Sequence, residues 1–142
     1  MEAHLALLAR VGDVTCAIPV AAVVETMRPL PIDVVGDVPP YVRGLAIIRG
    51  EPMLVIDTAR LLGRGDATAP GRFVVVRTGE RRVALQFDEV IGVRGIAPGT
   101  LSELPPIVRS VAPDAVAAIG VADAALLALL ETSSIVLPEL SR

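Results

Sequence analysis

A chain of 142 residues with an apolar share of 53% has the size of one domain. It also has enough apolar material to offset the entropy of ordering itself, which excludes disorder. A net charge of −3 and an aromatic content of 2% argue against a nucleic-acid surface, which needs a basic stripe and stacking platforms. The single cysteine, Cys16, excludes an internal disulfide and fits a reducing compartment. The longest apolar run, residues 124–130, is far short of the ~20 residues that span a bilayer. The N-terminus lacks the basic, apolar and small-residue succession of a signal peptide. The expected location is therefore the cytoplasm.

In chain order, the dominant apolar period is two, in short runs punctuated by Gly and Pro, which predicts an all-β architecture with short helices. Residues 4–10 and 14–18 read as strands paired across Gly12 and Asp13. Pro19 suits the first turn of a helical stretch reaching about Glu25. Residues 26–32 read as a strand that Pro29 and Pro31 confine to an edge. Residues 45–48 and 53–56 form a predicted hairpin about the turn 49–52. Asp57 then caps a short helix over 58–62 that ends at Gly63.

Residues 64–71, rich in Gly, Ala and Pro, are the expected junction between subdomains near 1–65 and 72–142 of one domain, 1–142, with strand exchange between them allowed. Residues 72–77 and 82–87 flank the turn 78–81, and residues 90–96 continue as a strand. Residues 97–114, with four prolines, read as a loop. Residues 116–121 and 125–130 make a last hairpin across Ala122 and Asp123, followed by a helical turn at 132–136. The halves echo each other: CAIPV followed by Val23 and Val24 matches VALQF followed by Val90 and Ile91. LVIDT at residues 54–58 likewise matches ALLET at 128–132. Two similar small barrels are the expected result.

Chemistry-bearing residues are sparse. The lone histidine, His4, cannot supply the three or four ligands that metal sites usually need, and Cys16 has no histidine base near it on its apolar strand. No glycine loop has phosphate-binding spacing, so neither cofactor nor metal is expected. The run Ile56, Asp57, Thr58, Ala59 resembles the Asp-Thr-Gly loop of retroviral-type aspartic proteases, with Ala59 in place of the glycine. A dimeric aspartic protease is thus one alternative, and a small-ligand-binding barrel another. A helix N-cap explains Asp57 without either.

The segment VPPYVRGLAIIRGEPMLVIDTARLLG (38–63) resembles the signature of the CheW chemotaxis coupling-protein family. AIPVAAVVETMRP upstream, VALQFDEVIGV downstream and IGVADAALLALLETSSIV near the end are similar to its other motifs, in family order over residues 5–137. The resemblance implies two SH3-like five-stranded barrels packed on a shared core, and a non-catalytic adaptor in chemosensory two-component signalling. Its implied partners are the regulatory domain of a CheA-type histidine kinase and the cytoplasmic tip of a methyl-accepting chemotaxis receptor. By motif position it implies receptor coupling by Val23, Glu25, Gly44 and Arg49. The expected bonding of Arg49 is to the other lobe or to a partner's acid. Gly50 and Asp57 are expected to be structural.

Overall fold

The computed structural model describes residues 4–63, 71–78, 80–96, 101–103, 116–122 and 125–130. The junction 64–70, most of the loop 97–114 and the helical turn 132–136 lie outside the described residues. Strands β1 (His4–Val11) and β2 (Val14–Pro19) form the first hairpin, and a 3-10 turn, Val20–Ala22, leads into β3 (Val23–Met27). Next come β4 (Val42–Ile48), β5 (Glu51–Asp57) and the helix α1 (Thr58–Leu61). They are followed by β6 (Arg72–Thr78), β7 (Arg81–Phe87), β8 (Glu89–Ile96), β9 (Leu101–Glu103), β10 (Val116–Ala122) and β11 (Ala125–Leu130).

These strands build a six-stranded sheet, ordered β8-β1-β2-β11-β10-β9, and a five-stranded sheet, ordered β3-β6-β7-β5-β4. All pairings are antiparallel except β2 with β11 and β5 with β7. The sheets do not divide the chain at 64–71. Strands β3 to β7 make one lobe from a continuous stretch, and the two ends of the chain make the other. The strands after the β1–β2 and β6–β7 hairpins cross over: β3 leaves β2 to pair with β6, and β8 leaves β7 to pair with β1.

Several local expectations change. The helical stretch after Pro19 is a single 3-10 turn, because the β-branched Val23 and Val24 continue into a strand against β6. That strand ends at Met27 rather than Ile32. Pro29 and Pro31 cannot donate to a ladder, and the segment after them instead makes an isolated bridge, Asp33 with Leu45, to β4. The β4–β5 turn has two residues rather than four, since Ile48 pairs with Glu51. The expected loop 97–114 contains β9, which brings the first sheet to six strands.

A shared core joins the sheets. Leu7, Ala9, Val11, Val14, Cys16 and Ile18 pack with Leu54, Ile56, Val74, Val76, Val83, Leu85 and Phe87. The opposite face of the second sheet fills its own barrel with Ala46, Ile48, Met53, Val55, Phe73, Val75 and Ala84. Strands buried on both faces read as continuous apolar runs, as in Phe73–Val76 and Met53–Ile56. Much of the high apolar share is used there rather than on the surface.

Cys16 is fully buried in the shared core, and burial pushes its thiol up to about 12. The thiolate is the nucleophile, so at about pH 8 a disulfide reagent should label Cys16 no faster than the protein unfolds. Rapid labelling under native conditions, measured by stopped-flow absorbance, would contradict this packing.

Candidate functional site

The β4–β5 turn presents Arg49 and Gly50 with φ of 53° and 79°. Positive φ at both central residues is the geometry of a tight hairpin turn, for which Asn-Gly is the favoured pair. Gly50 meets that demand at no steric cost. Arg49 carries a strain that a side chain adopts when the surroundings hold it there. Its guanidinium donates through Nη2 and Nε to Glu25 Oε1 and Oε2, at 3.0 and 3.2 Å. Glu25 lies on β3 and Arg49 at the end of β4, the two edges of the five-stranded sheet, so the pair latches the barrel shut. The expected bridge from Arg49 to the other lobe is corrected accordingly, because hairpin geometry aims the arginine at its own lobe. The Arg49 hydrogen bonds hold the Glu25 carboxyl below its ordinary range, with Arg82 adding a smaller electrostatic pull. Arg49 remains 76% exposed and Glu25 25%, so the latch faces solvent.

The other coupling candidates are not gathered around this pair. Val23 packs against the shared core, two residues before Glu25, and a bulge between them sends the two to different faces. Gly44 sits at a second bulge, against Ile32 and Asp33, with φ of 150°. Asp57, 1% exposed, accepts from the Arg60 N–H at 3.2 Å as the N-cap of α1. Its own N–H donates to Tyr41 O at 2.7 Å.

That geometry corrects the aspartic-protease alternative: the carboxylate is committed to capping a helix that begins at Thr58. Asp57→Ala should lower stability by ~1–2 kcal/mol in urea melts, as for a lost N-cap. Among the described residues, no group of three or more His, Cys, Asp or Glu could hold a metal ion. An open groove of about 370 Å³ runs between Glu51–Leu54 and Glu80–Arg82. It is not the enclosed apolar pocket that small-ligand binding favours. No helix among the described residues is long and apolar enough to cross a membrane.

One surface was not singled out from the sequence. Leu7 lies between Val93 on β8 and Ile18 on β2, and Leu7 and Ile18 are buried in the shared core. The same face continues outward to Leu5, 61% exposed, Val20, 38%, and Val93, 58%. This apolar rim edges the core between the lobes and reaches the 3-10 turn that leads into Val23. A period-two pattern does not distinguish it from core, so only its exposure identifies it.

The CheW-like domain family matches residues 5–137. The protein FrzA of Myxococcus xanthus is 33% identical over 100 residues, 68% of this chain. The chain spans 61% of that relative's length. A crystal structure of the scaffolding protein TtCheW from Thermoanaerobacter tengcongensis superposes with a TM-score of 0.76 over 92% of this chain and 90% of that one, at 20% identity. The fold is thus that of two SH3-like barrel subdomains, and the chain belongs to the CheW-like domain family.

Proposed function

We propose that this scaffold joins the cytoplasmic tip of a methyl-accepting chemotaxis receptor to the regulatory domain of a CheA-type histidine kinase, in the cytoplasm. The observation that carries the reading is the exposed apolar rim of Leu5, Val20 and Val93. A receptor tip is a helical hairpin, and an amphipathic helix binds by laying its apolar stripe into such a surface. The solvent-facing Glu25–Arg49 pair on the second sheet offers two opposite charges that can set register and partner choice.

Titration calorimetry of the protein against each partner tests the reading. Val93→Asp and Val20→Asp should each weaken receptor-tip binding by about tenfold or more, since desolvated apolar anchors dominate such interfaces. The melting midpoint should barely move, because both side chains already face solvent. Kinase-domain affinity should change less, as the family places that contact mainly on another face. Absence of binding between the wild-type protein and either partner would end the proposal.

A further inference from the structure

Each of the two chain crossings between the lobes is pinned by an arginine, one through a carbonyl and one through carboxylates. β3 crosses to pair with β6, and Arg77 of β6 donates through Nη1 to Ala21 O, within the crossing turn, at 3.2 Å. β8 crosses to pair with β1, and Arg10 of β1 meets the crossing residue Asp88. Asp88 N donates to Arg10 O at 2.8 Å, and Asp88 Oδ2 accepts from Gly12 N at 2.8 Å. Arg10 Nη1 lies 3.5 Å from Asp88 Oδ2 and 2.6 Å from Gly12 O, while its Nε donates to Glu89 Oε1 at 3.0 Å.

The two arginines occupy equivalent places. Each stands in the penultimate pair of its hairpin: Arg10 opposite Thr15 before Val11–Val14, and Arg77 opposite Arg82 before Thr78–Arg81. Each also begins an Arg-x-Gly-acid run, RVGD and RTGE. What each pin holds is the base of a rim segment. Ala21 lies between Val20 and Val23, and Asp88 with Glu89 begins the strand that carries Ile91 and Val93.

We propose that Arg77 and the Arg10–Asp88 pair are positioning residues of the docking rim, fixing Val20 and Val93 without touching the partner. The inference rests on the coupling function proposed above. A fixed guanidinium fork suits the role, since it can hold a carbonyl and a carboxylate in defined geometry. Pre-ordering the rim spares the partner the cost of ordering it on binding.

The experiment uses the full chain and the same receptor-tip hairpin, well below the melting midpoint. Arg77→Met keeps the aliphatic stem and loses the donor, Arg77→Lys keeps a donor, and Asp88→Asn keeps the shape and loses the charge. Arg77→Met and Asp88→Asn should each weaken receptor-tip binding by about fivefold to tenfold, the scale of one intramolecular hydrogen bond. Arg77→Lys should recover most of that loss. Hydrogen exchange at residues 20–23 should quicken in Arg77→Met but not in Arg77→Lys.

Wild-type affinity in folded Arg77→Met and Asp88→Asn proteins overturns the proposal, as does a lowered melting midpoint with unchanged affinity. If Asp88→Asn does not fold, the Arg77 pair of variants decides alone. No receptor-tip binding by the wild-type protein is a different result and would remove the coupling reading itself.

Discussion

Gly44→Ala should destabilise the protein by ~3–5 kcal/mol, with a clear fall in the urea midpoint. A Cβ built on Gly44 would lie 2.1 Å from Asp33 O and 2.9 Å from Ile32 Cγ2. The first of these neighbours is backbone and cannot swing away. The φ of 150° adds strain of ~1–3 kcal/mol for a residue with a side chain. Relief requires moving the segment 32–33, which would break the reciprocal hydrogen bonds Asp33 N to Leu45 O, 2.8 Å, and Leu45 N to Asp33 O, 2.9 Å. Each is worth ~1 kcal/mol. A loss of receptor coupling in Gly44 variants would then follow from damage to the barrel edge. If Gly44→Ala melts with the wild type and still loses receptor binding, Gly44 is a contact residue instead.

Arg49→Ala should leave the folded spectrum intact and weaken receptor-tip binding by about tenfold or more, the scale of a lost charged hydrogen bond at an interface. Glu25→Ala should behave alike. Either substitution opens the latch, so the single variants do not separate barrel closure from partner contact. The double variant Glu25→Arg with Arg49→Glu does, because it keeps an ion pair and reverses the charges shown to the partner. Restored binding in the double variant assigns the pair to closure, and continued loss assigns it to recognition.

Acid supplies an independent check. The Glu25 carboxyl is held below its ordinary range by Arg49. A depressed folded value means the latch is intact above the ordinary carboxylate range of about 4.3. It is lost only as pH falls through the lower folded value. Receptor affinity in mildly acidic buffer should therefore be insensitive to this pair, and calorimetry across pH would reveal the contrary.

The all-β class, the hairpins at Gly12-Asp13 and around 78–81, and the Asp57 cap were legible in the sequence, because each depends on residues within a few positions of one another. Turn residues at hairpin ends and an acid before a short helix act through local backbone geometry, whatever the rest of the chain does. The family motifs drew attention to Glu25 and Arg49 as separate positions. Their mutual bond was not legible, since it joins opposite edges of a sheet whose order, β3-β6-β7-β5-β4, depends on a parallel pairing between β5 and β7.

The crossing of β3 and β8 between lobes, the pinning of those crossings by Arg77 and Arg10, and the exposure of Val20 and Val93 belong to the tertiary structure for the same reason. Apolar alternation specifies which side chains share a face, and Leu7 and Val93 do share one. Whether that face is core or rim is decided by what packs over it. The second sheet covers Leu7 and stops short of Val93, and that boundary is set by the placement of one lobe against the other rather than by any run of residues.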